Sequence, residues 1–563
     1  MRLRSVTVGL VAAGLVASCG RGPEVDLILR GGTLYDGTGS VPVVGDLAIE
    51  GDSVVALGEL GSLCGRREID VTGLAVAPGF INMLSWATES LIEDGRGLSD
   101  VAQGITLEVF GEGLSMGPLN RAMKEDMVEG QGDIRYDVSW TTLDEYLTHL
   151  VSRGVSPNVA SFVGASTVRI HELGEVDRDP SAEELERMED LVRAAMRDGA
   201  LGVGSSLIYT PGVYAETDEL VALAAASAEF GGMYTSHLRS EADRLVEAVD
   251  ELIHIARESG AAAEIYHLKQ AGSPNWPKLD DVIQRVEGAR AEGLAITADM
   301  YTYTAGRTGL DASMPPWVQE GGYEAWAERL REPEIRERVV REMRTSAPDW
   351  ENLLLLAGSP ERVLLVGFRA DSLKRHTGKA LSAVADEMGL SPEEAAVELV
   401  VRDGSRVGTV YFLMSEENVR RQIGLPWMSF GSDEGAPAPE GLFLQSNPHP
   451  RAYGNVARLL GHYVREEGLI PLAEAIRRLT DLPATNLKLR RRGRLSSGFH
   501  ADVVVFDPDE IAAPATFEEP HRLATGVRHV FVNGVQVLSD GRHTGATPGR
   551  VVRGPGWRGR EEG

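Results

Sequence analysis

Cysteine is almost missing from this chain: 563 residues contain two, Cys19 and Cys64. A disulfide-stapled fold is thereby excluded, and stability must come from packing. Positive charge is also short, with 56 Lys and Arg against 84 Asp and Glu, a formal net charge of −28. That balance excludes a nucleic-acid partner, which needs clustered Lys and Arg to meet phosphates. The run "KLRRRGR", Lys488 to Arg494, is the main basic exception, and it reads as a solvated turn ahead of a strand. What is present is ordinary for a globular protein, 43% hydrophobic and 25% charged residues. The length exceeds one compact core unless that core is a large barrel with attachments.

The N-terminus, "MRLRSVTVGLVAAGLVASCG", has Arg2 and Arg4, an apolar run, and small residues before Cys19. It is too short for a conventional membrane span and reads as a secretory signal over residues 1–18. "LVASC" further resembles a bacterial lipobox, which makes Cys19 the lipidated first mature residue. The plainer alternative is a signal peptide with an incidental cysteine. Either way an exported protein is expected, periplasmic or at the cell surface. Its only membrane contact would be a lipid at Cys19.

Short strands separated by Gly/Asp turns follow in "VDLILRGGTLYDGTG" and "GDLAIEGDSVVALGEL", and the same texture returns in "ADVVVFDP" and "VRHVFVNGVQVLSDGRHTG". Residues 24–75 and 489–555 are therefore expected to form one composite β-sandwich domain. Between them, over 76–488, apolar runs alternate with amphipathic helices, the pattern of an α/β parallel sheet. Eight strand candidates are "LAVAPGFINML", "GITLEVFG", "NVASFVG", "ALGVGSSL", "GGMYTSH", "AAAEIYH", "AITADMY" and "WMSFGSD". Eight such units predict a (β/α)8 TIM-like barrel with its active site at the C-terminal strand ends. The connection before strand eight, about 307–425, is too long for a loop and predicts a helical insertion.

Of 12 histidines, His237 and His267 directly end strand candidates, the fifth and sixth. Glu112 follows strand two in "VFGEG", and Asp433 follows strand eight in "FGSDEG". Two imidazoles and a carboxylate can hold zinc with one position open for water. A further carboxylate beside that water can accept its proton and pass it to a leaving group. A lone strand-end histidine is commonly structural, and a glutamate between two glycines can simply shape a turn. Two histidines on adjacent strands with a carboxylate on strand eight point instead to metal-assisted hydrolysis.

These motifs, with "ALGVGSSLIYTPGVYA", "TSHLRSE", "EIYHLKQAG", "DMYTYTAG", "MPPWVQEGG", "HPRAYG" and "GRLSSGFHADVVVFDP", occur in an order that resembles the amidohydrolase superfamily, in its N-acyl-D-amino-acid deacylase (D-aminoacylase) branch. The resemblance spans roughly residues 24–550. It implies hydrolysis of an amide or N-acyl C–N bond, with N-acyl-D-amino acids or D-residue dipeptides as the expected substrates. It implies one divalent metal, zinc, on Glu112, His237 and His267, with Glu112 nearest the family's usual cysteine. It further implies Asp433 as general base and acid, and contacts to substrate from Tyr209, Lys269, Tyr303 and Arg451. The departures are specific. The family's His-x-His after strand one is replaced by Leu84, Ser85 and Trp86, and Ala165 stands where many relatives have histidine. Two other readings follow from those losses: an inactive barrel acting as a surface binding protein, or a cyclic-amide hydrolase.

Overall fold

The computed structural model describes residues 24–346 and 350–559. The expected signal peptide and the lipidation site Cys19 lie outside them. The chain enters on β1 (Glu24–Leu34), β2 (Val43–Glu50), β3 (Ser53–Gly58), β4 (Cys64–Asp70) and β5 (Ala75–Pro78). β1 pairs antiparallel with β2 and parallel with β4 and β5.

The strand read as "LAVAPGFINML" is in fact two. β5 belongs to this first sheet, and β6 (Phe80–Asn82) starts a second, parallel one. Gly79 makes the break possible, because a Cβ there would lie 2.1 Å from Thr106 Oγ1.

β6 pairs parallel with β7 (Ile105–Phe110), and β7 with β8 (Asn158–Ser161). One residue later β9 (Val163–Gly164) continues the same run and opens a six-stranded parallel sheet with β10 (Gly202–Ser206), β11 (Met233–His237), β12 (Ala262–Ile265) and β13 (Ile296–Met300). Helices alternate with these strands. Ala182–Asp198 starts at a capping box between Ser181 and Glu184, and Leu245–Ser259 stops at the left-handed Gly260. Their buried faces, among them Val192, Met196, Leu252 and Ile255, share one core with the strands.

The insertion departs from the helical expectation. It contains a four-stranded antiparallel sheet of β14 (Ala305–Gly309), β15 (Val363–Gly367), β16 (Lys379–Ala380) and β17 (Gly408–Phe412). Helices Gly322–Arg329, Pro333–Met343 and Pro392–Asp403 accompany it. "VLLVG" and "GTVYF" carry the β-branched and aromatic residues that strands favour. They were hidden between long stretches of helical periodicity. Val363, Leu365 and Tyr411 pack with Trp326 and Val339 in a core separate from that of the parallel strands.

The chain then returns to β18 (Met428–Phe430), parallel to β13. The Met83 amide donates to the Phe430 carbonyl at 3.2 Å, and the Asp433 amide to the Leu84 carbonyl at 2.9 Å. The eighth parallel position is thus hydrogen-bonded to the end of the first.

Last come β19 (Val503–Phe506), β20 (Val527–Val532), β21 (Val535–Ser539) and β22 (Arg542–His543). β19 pairs antiparallel with β5, so both chain ends share one nine-stranded sheet. The hydrogen bonds run through one continuous sheet, in which β1 pairs with β4 along its first half and with β5 at its end. Period-two alternation shows how it is seated. Val503 and Val505 pack with Leu29, Leu47 and Ile49 on one face, whereas Val504 and Phe506 join the core under the parallel strands. Both faces are covered, which is why "VVVF" is apolar throughout.

Candidate metal centre

Glu112, His237 and His267 come together, all buried. His237 is the last residue of β11. His267 lies just past β12 with φ +34°, a backbone position that a bulky side chain occupies only when its surroundings hold it. Its amide donates to Asp299 Oδ1 at 2.9 Å, which fixes the bend. Glu112 follows β7 between Gly111 and Gly113, at φ +109° and +67°. A Cβ on Gly111 would stand 2.4 Å from the Phe162 carbonyl oxygen, and one on Gly113 2.4 Å from Ser206 Cβ. These glycines let the turn press against the neighbouring strands and carry the carboxylate inward.

Glu112 Oε1 lies 3.0 Å from His237 Nδ1 and 2.9 Å from His267 Nε2. Its other oxygen, Oε2, accepts the Trp86 indole N–H at 2.9 Å. Trp86 therefore touches the centre through a donor, where the related motif would offer a histidine lone pair. Leu84, the other member of that pair, is fully buried.

Glu241, four residues after His237, is a participant that sequence reasoning missed. It lies 3.4 Å from His237 Nε2 and 3.2 Å from His267 Nδ1. It also accepts from Lys269 Nζ at 2.6 Å, and Nζ is 2.7 Å from His267 Nδ1. The signal was its place in "HLRSE", but only the folded loop turns it back onto the rings.

Burial pushes the Glu112 carboxyl up, but the charges and hydrogen bonds of the two imidazoles outweigh it and hold the group well below its usual range. Burial and the Lys269 ammonium push His267 down, while Glu112 and Glu241 carry it up to about 10. Burial dominates at His237, which is lowered. Two buried carboxylates thus draw positive charge onto His267, and two nitrogens with a carboxylate oxygen are a donor set suited to zinc.

Asp433 sits at φ +50°, the second strained backbone position on this rim. Arg451, with a side chain 1% exposed, binds it through Nη2, 2.8 Å from Oδ2 and 2.6 Å from its carbonyl oxygen. Burial raises the Asp433 carboxyl to about 6 despite that cation, with Glu112 adding to the rise. Arg451 Nε and Nη1 have no partner.

The expected Tyr303 points elsewhere. Its hydroxyl donates to the Pro450 carbonyl at 3.4 Å, and its ring packs on His449 and Phe517. Tyr301 is the one inside the site, with Arg451 4.2 Å and Lys269 Nζ 5.7 Å from its ring centre and its buried hydroxyl unpartnered. The two tyrosines stand two residues apart in "DMYTYTAG", so spacing alone could not separate them. Tyr209 packs edge-on against His237 at 5.2 Å.

His449 is buried and holds a loop, lying 3.0 Å from the Ala305 carbonyl through Nε2 and accepting the Arg451 amide at Nδ1. A second group, Glu416, His462 and Glu467, has metal-like spacing at the surface. There the Arg420 guanidinium already contacts both carboxylates, at 3.4 and 2.8 Å.

A family model described as "Amidohydrolase family" matches residues 425–538. The D-aminoacylase of Alcaligenes xylosoxydans xylosoxydans is 32% identical over 531 residues, 94% of this chain and 97% of that protein. A solved D-aminoacylase structure superposes with a TM-score of 0.77 at 31% identity, covering 94% of this chain and all of that one. A Bordetella bronchiseptica N-acyl-D-glutamate deacylase, solved with zinc and a phosphonate mimic of the tetrahedral intermediate, gives 0.76 at 30% identity over the same shares. These relatives imply a TIM-barrel fold with an additional domain. The chain belongs to the amidohydrolase family, in its D-aminoacylase branch of metal-dependent hydrolases acting on carbon–nitrogen bonds other than peptide bonds.

Proposed function

We propose that this protein hydrolyses the amide bond of N-acyl-D-amino acids or D-residue dipeptides, using one divalent cation, zinc, held by Glu112, His237 and His267. The observation that carries the reading is the convergence of both imidazoles on Glu112 Oε1, at 3.0 and 2.9 Å. The D-configuration and the N-acyl group are carried over from the relatives. A cation there would supply Lewis acidity, polarising the scissile carbonyl and acidifying water.

The protein's own groups complete the chemistry. Asp433, a carboxylate poised near 6, takes the proton of the attacking water and returns it to the departing nitrogen. Arg451 Nε and Nη1, buried and without a hydrogen bond among the described residues, leave single donors of a fixed cation free for a substrate carboxylate. Lys269 adds a second cation on the same side. The unpartnered Tyr301 hydroxyl, rather than that of Tyr303, is the donor available to the carbonyl oxygen.

The strand-one rim supports reading one metal rather than two. Leu84 and Trp86 offer no lone pair to an ion, and the Trp86 N–H already occupies Glu112 Oε2. We read the eight parallel strand positions as a closed (β/α)8 barrel. Export with a lipid at Cys19 is proposed on the sequence of residues 1–19 alone.

Exchanging Asp433 for Asn tests the mechanism. Turnover should fall at least ~10²-fold, the usual range for losing a general base, while zinc content stays at the wild-type value. Unchanged turnover would remove Asp433 from the reaction.

A further inference from the structure

We infer that Glu241 is the positioning carboxylate of the metal centre: one side chain that fixes the ring orientation and proton placement of both histidine ligands and ties Lys269 to them. The inference rests on the metal-centre reading above and concerns a residue outside that ligand set.

A ring nitrogen can bind a cation only if its proton sits on the other nitrogen. His237 turns Nδ1 toward Glu112, and His267 turns Nε2 toward the same oxygen. The two rings therefore present opposite nitrogens, and each needs an acceptor behind it. Glu241 stands behind both, with Oε2 3.4 Å from His237 Nε2 and Oε1 3.2 Å from His267 Nδ1. His237 Nε2 makes no hydrogen bond among the described residues, and the Glu241 carboxylate at 3.4 Å is the acceptor within reach. Glu241 is itself buried, 6% exposed.

Lys269 sharpens the argument. With His267 Nε2 given to a cation, Nδ1 must carry the proton. Lys269 Nζ, which has only donors, here gives a hydrogen bond to Nδ1 at 2.7 Å; once Nδ1 carries a proton the lysine must release it, and both groups then need an acceptor. Glu241 Oε1, 2.6 Å from Nζ, is that acceptor. One oxygen thus links a ligand's proton to the cation expected to meet the substrate, until the substrate's own carboxylate competes for the lysine.

The loop carrying Glu241 is also fixed from outside the parallel strands. Glu351, from the insertion, accepts from the Ser240 hydroxyl and the Glu241 and Ala242 amides at 2.5, 2.6 and 2.7 Å through a single oxygen. Three donors on one acceptor define the loop's position more tightly than side-chain packing alone.

The test is the zinc dissociation constant of the full chain, measured by competition with a chromogenic chelator. It compares wild type, Glu241→Gln, Lys269→Met and the double variant. Glutamine keeps the shape but has one acceptor oxygen, so it can serve one ring only. Glu241→Gln should weaken zinc binding by ~10–100-fold, the usual effect of losing a carboxylate behind a ligating histidine. The same loss should persist in the Lys269→Met background, where no lysine is left unbalanced; if the single variant does not fold, that pair decides. Zinc affinity within twofold of the matching background would overturn the inference, and so would a loss that vanishes once Lys269 is gone, leaving Glu241 a counter-ion only. A wild-type chain that takes up no zinc, or keeps it in His237→Ala, would instead overturn the metal-centre reading itself.

Discussion

The two sides of the strand-end rim differ sharply. Over strands β6 and β9, the positions where the resemblance leads us to expect histidines hold Leu84, Trp86 and Ala165, two of them fully or almost fully buried and none with a side chain able to ligate a metal. Over β11 and β12, His237, His267, Lys269 and Glu241 form one buried hydrogen-bonded network closed by Glu112. Buried polar groups are costly when unpaired, and a site in decay would be expected to lose pairing everywhere. Here Glu112, His237, His267 and Lys269 remain hydrogen-bonded, and Trp86 is bonded to Glu112 rather than merely filling space. On the proposed reading, the missing motif marks a change in the number of ions, and the metal donors lie on the strands that kept their network.

That contrast can be broken most strongly from the polar side. His237→Ala should remove zinc and with it essentially all turnover, whereas Leu84→Ala should keep both the metal and most of the activity. Metal analysis and kinetics on the purified variants measure the two together. A smaller contrast separates the tyrosines. Tyr301→Phe should lower kcat/KM by roughly 10–100-fold, a loss of ~1.5–3 kcal/mol typical of one hydrogen bond to a charged or developing charge. Tyr303→Phe, which loses only a long bond to the Pro450 carbonyl, should stay within about threefold of wild type. The smallest effect lies in pH. Burial raises the Asp433 carboxyl to about 6, and the base works only when ionised. The acid limb of kcat/KM should therefore rise as pH increases through about 6 and flatten above it. A limb centred near 4 would mean that Asp433 is solvated like an ordinary carboxylate.

Much of this site was legible in sequence because strand ends are local features. His237, His267 and Asp433 each close a short apolar run, and the run itself says which way the chain points. Glu112 was legible through its place after strand two, whereas the glycines around it read as a plain turn; their positive φ values now explain how that turn is made. Glu241 was not, since nothing local distinguishes a glutamate in a loop from a solvated one until the loop folds back over the rings. Tyr301 and Tyr303 could not be told apart, because the chain leaves the strand at Met300 and strict alternation ends there. In the insertion, four short strands were submerged in helical periodicity, and their antiparallel pairing brings together segments up to about a hundred residues apart. Non-local pairing of that kind leaves little trace in a window of ten residues.

The central claim is that one metal remains where relatives have room for more. It is tested most directly by zinc stoichiometry, measured by elemental analysis after dialysis against excess zinc, for wild type and for Trp86→His. The expected result is one ion per wild-type chain, with additional uptake only when a histidine replaces the indole. Two ions on the wild-type chain, or none, would contradict the account.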